Sequence, residues 1–102
     1  MAYHVITTYT RPSADVKLYL DSVPALKFEF VRWAAAQNGK VTFTNEVTAT
    51  GEVSMASYPN EATFNEVIAS FNAAFPTFFQ DRDAYCAANG ITVAREVSID
   101  AA

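Results

Sequence analysis

Apolar residues recur at steps of three and four positions between Asn60 and Gly90, and this spacing places their side chains on one stripe of an α-helix. The stripe consists of Phe64, Val67, Ile68, Phe71, Ala74, Phe75, Phe78, Phe79, Tyr85 and Cys86. No other segment of the chain offers so much apolar area. We therefore expect the core to form where this stripe packs.

Pro76 interrupts the stripe, because its ring crowds the preceding turn and it has no N–H to donate to the carbonyl of Asn72. The pattern therefore predicts two helices, at 61–74 and 78–89, with a bend at 75–77.

Capping residues flank both predicted helices. Asn60 is suited to cap the first, and Thr77 with Gln80 has the spacing of a capping box for the second. Gly90 followed by Ile91 is typical of a helix end with a left-handed glycine.

A further helix is predicted from Pro24 to Asn38. Pro24 suits its first turn, Ser22 lies near its cap, and Gly39 ends it. Its apolar residues are Leu26, Phe28, Phe30, Val31, Trp33 and Ala34. They leave a narrow polar side, so most of this helix should be covered.

Alternation of apolar and polar residues predicts strands at 3–10, 40–50, 52 or 53 to 58, and 91–99, followed by a short tail, Asp100 to Ala102. Residues 15–22 are ambiguous. Val16, Leu18 and Leu20 alternate as in a strand, whereas Ser13 is placed to cap a short helix. We favour an extended or edge segment there.

Matching the apolar faces of the second and third strands pairs Val53 with Ala49 and Met55 with Val47. This register leaves a three-residue loop, Thr50 to Glu52. Val53 and Met55 would then face the core.

The order strand, helix, strand, strand, helix pair, strand is the split β-α-β-β-α-β pattern of ferredoxin-like domains. Right-handed crossovers in that pattern place the helices on one face of a four-stranded antiparallel sheet. The first and third strands should be central. We expect one α+β domain over residues 1–102, since the chain is long enough for one core but not for two.

The sheet face turned away from the helices is predicted to be rich in threonine and poor in charge. Its residues would be His4, Ile6, Thr8, Thr42, Thr44, Glu46, Thr48, Ser54, Ala56, Tyr58, Thr92, Ala94, Glu96 and Ser98. A face in bulk water normally carries more charge, so we expect a second copy or another protein partner to cover it. The alternative is a solvated face, because antiparallel sheets commonly leave one side wet.

Charge and composition exclude several classes of function. Lys and Arg number 7 against 11 Asp and Glu, and the resulting net charge of −4 repels phosphate backbones, so we expect no nucleic-acid partner. No apolar run approaches the roughly 18 residues that span a bilayer, and no signal pattern opens the chain, so we expect a soluble, non-secreted protein without a membrane partner. One cysteine and one histidine cannot supply a usual zinc site, and we expect no cofactor.

His4 and Glu96 are the catalytic candidates, because the first and last strands pair in a ferredoxin-like sheet and a carboxylate beside an imidazole supports acid–base chemistry. No nucleophile is placed by a motif, so a surface or interface histidine is the simpler interpretation. Cys86 lies on the apolar stripe, where a free thiol acts as a small hydrophobe.

Two polar residues interrupt the apolar faces of the predicted edge strands, Asn45 and Arg95. Inward polar groups on an edge protect it against further strand addition. The sharper interpretation makes Arg95 an anion-accepting group at a pocket rim. His4 and Tyr58 would be the other binding residues.

The topology, with a long helix after the second hairpin strand, resembles the dimeric α+β barrel superfamily, which includes antibiotic-biosynthesis-monooxygenase-like proteins whose sheets pack face to face. The resemblance covers most of the chain and rests on the element pattern. No catalytic motif matches, so it assigns no residue roles.

Two short segments resemble small uncharacterised proteins of cyanobacterial myophages: TYTRPSADVKLY at 8–19 and RDAYCAANGIT at 82–92. This resemblance implies a virus-encoded accessory or virion component, located in the host cytoplasm or in the particle. It implies no activity.

These observations favour a non-catalytic structural or interaction module that self-associates or docks through its sheet face. The alternative is a cofactor-free small-molecule enzyme or binder of the dimeric barrel type, with His4, Tyr58, Glu96 and Arg95 around a pocket. A closed space of about 300 Å³ or more between sheet and helices, with those groups pointing in, would favour the alternative. A packed interior would favour the module.

Overall fold

Residues 1–100 are described by a computed structural model of the chain. Its elements are, in chain order, β1 (Tyr3–Thr10), α1 (Tyr19–Ser22), α2 (Pro24–Ala35), β2 (Thr42–Val47), β3 (Gly51–Tyr58), α3 (Glu61–Ala74), α4 (Phe78–Ala88) and β4 (Thr92–Ile99).

The four strands form one antiparallel sheet in the order β2-β3-β1-β4, and the helices pack on one of its faces. This arrangement confirms the predicted α+β, ferredoxin-like fold, with β1 and β3 at the centre. The backbone N–H of Asp100 continues the pairing by donating to the carbonyl of Ala2 at 3.1 Å. The rest of the predicted tail, Ala101 and Ala102, lies outside the described residues.

The helix break at Pro76 is confirmed, since α3 ends at Ala74 and α4 begins at Phe78. Asn60 caps α3 as predicted, with its side chain accepting from the N–H of Thr63 at 2.8 Å. The capping box at α4 is wrong, because the Thr77 hydroxyl donates to Asp81 at 2.9 Å and makes no cap bond.

Residues 15–22 do not form the extended segment that we favoured. They turn and then enter the short helix α1. Tertiary contacts decide this, because the Tyr19 ring packs against Phe78 and Tyr85, each at 5.6 Å between centroids. The Tyr85 hydroxyl also donates to the carbonyl of Lys17 at 2.6 Å, which fixes the turn.

The segment between α2 and β2 is longer than predicted. α2 ends at Ala35 and β2 begins at Thr42, whereas we expected a helix to Asn38 and a strand from Lys40. Asn38 and Gly39 both adopt positive φ, at 55° and 78°, a conformation that closes a helix and reverses the chain.

The register of the β2–β3 hairpin differs from the prediction by three residues. Val47 pairs with Glu52, whereas matching of apolar faces predicts Met55 as its partner. Gly51 lies in β3 rather than in the middle of the loop. A Cβ added there would stand 1.9 Å from the carbonyl oxygen of Tyr9, so the glycine serves the close approach of β3 to β1.

A register change by an odd number of residues exchanges the two faces of a strand, and our face assignment for β3 is therefore wrong. The residues that face the helices are Glu52, Ser54, Ala56 and Tyr58. The residues that alternate with them onto the open face are Val53, Met55 and Ser57. The core contact of Tyr58 favours this register, because its ring is buried and meets Phe64 edge-on at 5.1 Å.

Aromatic rings join the helices to one another around Phe71, which is 5% exposed. The rings whose centroids lie 5.0–6.0 Å from that of Phe71 belong to Phe30, Trp33, Phe75, Phe78 and Phe79. We call these six residues the Phe71 cluster. It contains members of α2, α3 and α4 and the bend between the last two, so it holds the helical layer together.

Removing the central ring should destabilise the whole fold. We expect Phe71→Ala to lower the free energy of unfolding by about 3–5 kcal/mol, the usual cost of deleting a buried phenylalanine side chain. Phe28→Ala is the matched control, because Phe28 is 64% exposed and its loss should change the value by less than about 0.5 kcal/mol. Urea denaturation followed by circular dichroism measures both. Equal effects of the two substitutions would contradict the proposed role of the cluster.

Candidate functional site

A half-open cavity of about 210 Å³ separates the sheet from the helices. The Phe71 cluster supplies much of the helical wall through Phe30, Trp33, Phe71, Phe78 and Phe79. The interior of the protein is therefore not fully packed. The cavity is nevertheless smaller than the roughly 300 Å³ that we set from the sequence as the threshold for an enzyme pocket.

The sheet side of the cavity is polar at one end, because strand pairing aligns polar residues across neighbouring strands. Ser54 of β3 lies between Asn45 of β2 and Thr7 of β1. Glu52 pairs with Tyr9 in the next helix-facing row. All five residues line the cavity. A polar floor thus faces a wall of aromatic rings.

Glu52, Tyr9 and Arg82 form the most polar corner of this site. All three also line a second cavity of about 50 Å³ beside the first. The Arg82 side chain is only 14% exposed and donates to Asp83 at 3.0 and 3.1 Å. Its guanidinium carbon lies 5.0 Å from the centre of the Phe79 ring, a distance that allows a cation–π contact.

Burial and neighbouring charges shift the ionisation of this corner. Burial raises the pKa of Tyr9, and the charge of Arg82 offsets part of that rise. Burial likewise raises the pKa of Glu52, and Asp21 adds to the effect while Lys27 and Arg11 oppose it. The corner therefore combines a carboxyl group that holds its proton more tightly than usual with a cation and a phenol.

Of the four residues that we expected around a pocket, Tyr58 alone lines the cavity. It is 6% exposed, and burial raises the pKa of its phenol. Its position among Phe64, Val67 and Val41 makes it a member of the hydrophobic core. Sequence pattern placed Tyr58 on the opposite face of the sheet.

His4 and Glu96 share the open face of the sheet, as expected, but the structure does not bring their side chains into hydrogen-bond contact. Glu96 lies opposite Ile6, which is two residues along β1 from His4. The imidazole of His4 instead has Nδ1 at 2.8 Å from the Ser57 hydroxyl and Nε2 at 3.0 Å from the Asp100 carboxylate. These contacts link β1 to β3 and to the end of β4.

Arg95 and Asn45 both lie exposed on the outer strands, where the sequence pattern placed them. Arg95 aligns with Thr7 and has no side-chain hydrogen bond or ion pair to residues 1–100. Cys86 is 3% exposed, and burial raises the pKa of its thiol, as expected of a small core residue.

Two classes of site find no support in the described part of the chain. Residues 1–100 contain no cluster of three or more His, Cys, Asp or Glu side chains that could hold a metal ion. None of their helices has the length and apolar character needed to cross a bilayer.

Sequence reasoning missed the polar corner of the cavity. Tyr9 was recognised only as part of an alternating strand and Glu52 as a loop residue, and Arg82 was given no role of its own. The sequence signal that could have indicated this corner was the charged residue Glu52 next to the apolar residues of β3. The sequence does not show which face of the sheet Glu52 occupies, because that depends on the hairpin register.

Comparisons with known proteins support the fold. No protein-family model matches the chain, and no curated protein matches it significantly. A dimeric ferredoxin-like protein from an uncultured marine organism has a similar structure, with a TM-score of 0.59, 16% identity, and coverage of 99% of this chain and 98% of the other. The de novo designed protein Foldit4 is similar at a TM-score of 0.53 and 10% identity, with 99% and 100% coverage. At these identities the comparisons show the ferredoxin-like fold and no more.

The raised pKa of Glu52 predicts a specific pH dependence of stability. Above its folded-state pKa the folded chain must hold a desolvated carboxylate, whereas below the ordinary glutamate pKa of about 4.3 both states are protonated and the penalty vanishes. Glu52→Gln should therefore leave the free energy of unfolding unchanged near pH 3 and raise it at pH 7. The gain should stay below about 1 kcal/mol, because water partly screens this half-buried group.

Urea denaturation at a series of pH values measures this difference. Glu29→Gln on the exposed side of α2 is the control, and its difference from the parent chain should not vary with pH in the same way. A Glu52→Gln variant that gains no stability between pH 3 and pH 7 would contradict the burial argument.

Proposed function

We propose that the chain is a non-catalytic interaction module, folded as one domain, that pairs with a second copy of itself through the open face of its sheet. The observation that carries this proposal is the centre of that face. Ile6 and Met55 are direct cross-strand partners, and Val53 pairs with Thr8 two residues further along the same face. The central strands β1 and β3 therefore present an apolar patch with no helix over it.

Charge is confined to the outer strands of this face. Among the described residues, its carboxylates are Glu46 on β2, Glu96 on β4 and Asp100 just after β4, whereas β1 and β3 contribute threonine, serine and histidine around the apolar centre. An apolar centre with a polar rim is the usual composition of a protein interface. A surface selected only for solubility would carry charge across the central strands as well.

The comparison with a solved structure supports a second copy as the partner. The marine ferredoxin-like protein that matches 99% of this chain is described as dimeric. A two-fold pairing uses the same patch on both copies, so a face with Ile6 and Met55 at its centre meets its own apolar residues. Face-to-face packing of sheets is also what the resemblance to dimeric α+β barrels implies.

The enzyme alternative requires His4, Tyr58, Glu96 and Arg95 around one pocket. His4 and Glu96 lie on the open face, and Arg95 is exposed on the outer strand β4. Of the four residues, only Tyr58 lines the cavity. The interaction module is therefore the function that we propose.

A charge at the centre of the open face should separate the copies. We expect the parent chain to elute with twice the 11.2 kDa mass of one chain in size-exclusion chromatography with light scattering, and Met55→Lys to elute as a monomer. Two-fold symmetry places the new charge in the interface twice, and an unpaired buried charge typically costs about 2–5 kcal/mol.

Phe28→Lys is the matched control, because it makes the same type of change at an exposed apolar residue on the helical side. It should leave the mass of the parent chain unchanged. A parent chain that stays monomeric at millimolar concentration would contradict the proposal, as would dissociation by Phe28→Lys and not by Met55→Lys.

We also propose that the module is a virus-encoded accessory or virion protein, acting in the host cytoplasm or within the particle. Support comes from the similarity of residues 8–19 and 82–92 to small proteins of cyanobacterial myophages. Mass spectrometry of purified particles and of infected-cell lysate should detect the chain in at least one of them. Its presence in uninfected cells at the same level would contradict a viral origin.

A further inference from the structure

The cavity between the sheet and the helices has the size of a small-molecule site. Its volume of about 210 Å³ exceeds the roughly 150 Å³ of an engineered cavity in another protein that accepts benzene. Phe30, Trp33 and Phe78 on the helical wall offer ring edges and faces to an aromatic guest. The opening toward solvent gives a route of entry.

The polar floor of the cavity distinguishes it from a packing defect. Thr7, Glu52 and Ser54 are half-buried and Asn45 is exposed, and none of these four side chains has a hydrogen bond or ion pair within residues 1–100. Positions that face a helical layer are normally apolar, so a group of polar side chains here is uncommon. A few polar groups that converge on an otherwise apolar cavity are typical of a small-molecule site, where they fix the orientation of the ligand.

We infer that this cavity binds a single-ring aromatic molecule that carries one neutral hydroxyl or amide group. The ring would lie against Phe30, Trp33 and Phe78, and the polar group would face Glu52, Arg82 and Tyr9. A hydroxyl or amide can accept a hydrogen bond from Arg82 and donate one to Glu52.

Charge at the polar corner argues for a neutral ligand. Glu52 and Arg82 both line the cavity, so an anion would approach a carboxyl group and a cation would approach a guanidinium. Arg82 is also held by Asp83 and stacked over Phe79, which fixes its position. The floor and the open face lie on opposite sides of the sheet, so the proposed ligand site and the proposed interface share no residues.

Titration of the ¹⁵N-labelled chain with p-cresol, benzamide and toluene tests the inference. The indole N–H of Trp33, the single tryptophan, reports directly from the cavity wall. We expect p-cresol and benzamide to shift this resonance with dissociation constants of about 0.1–1 mM, ordinary for ligands of this size. Toluene should bind at least about fivefold more weakly, because it forms no hydrogen bond at the polar corner. Benzoate and benzylamine should also bind more weakly.

Filling the cavity should abolish binding. Ala56 lies on the floor and Ile68 on the helical wall, so Ala56→Leu and Ile68→Phe fill the same space from opposite sides. Either variant should lose at least about tenfold in affinity for p-cresol while keeping a dispersed spectrum, since filling a cavity is often neutral or stabilising. Using two variants keeps the test valid if one of them fails to fold.

The polar corner is tested separately. Glu52→Leu should bring the affinity for p-cresol down to that for toluene, whereas Glu29→Leu on the exposed side of α2 should leave both unchanged. The inference is overturned if p-cresol leaves the Trp33 resonance in place, if a folded filled variant binds like the parent chain, or if toluene binds as tightly as p-cresol. None of these results would bear on the mass of the protein in solution.

Discussion

Ring contacts around Phe71 are the interaction on which the rest of this structure depends. Phe71 belongs to α3, yet its neighbours come from α2, from the bend at Phe75 and from α4. The backbone cannot continue as one helix past Pro76, so side-chain packing has to fix the direction of α4. Large rings with edge-to-face geometry do this well, because they combine extensive apolar area with a preferred orientation.

The same rings form one wall of the cavity, and this links stability to binding. The sheet meets the helical layer through Tyr58, Phe64 and Val67 at its apolar end. At the other end it presents Glu52 and its polar neighbours, which cannot pack against rings without losing their hydration. A gap between layers is the physical result of an apolar wall over a polar floor. The open face then serves self-association, and the two sides of one sheet carry different proposed roles.

Patterns of short range predicted most of the fold. The helical stripe, the break at Pro76, the Asn60 cap and the alternating strand at 3–10 are each set by neighbours within a few residues, so the sequence displays them directly. The short helix at Tyr19 and the candidate site were not predictable in this way. Tyr19 is held by rings of α4, and the polar corner joins β1, β3 and α4 across long sequence separations.

By itself, the sequence determined the type and order of the main elements and the four-stranded α+β arrangement, because hydrophobic periodicity and right-handed crossovers leave few alternatives. Only the tertiary structure decided which residues of β3 face the helices and which lie on the open face of the sheet. Gly51 is compatible with a turn and with a close approach of strands, and the structure shows the second, because a Cβ at this position would collide with the carbonyl oxygen of Tyr9. That choice turns Glu52 and Tyr58 inward and Met55 outward, since side chains in a strand alternate with a period of two.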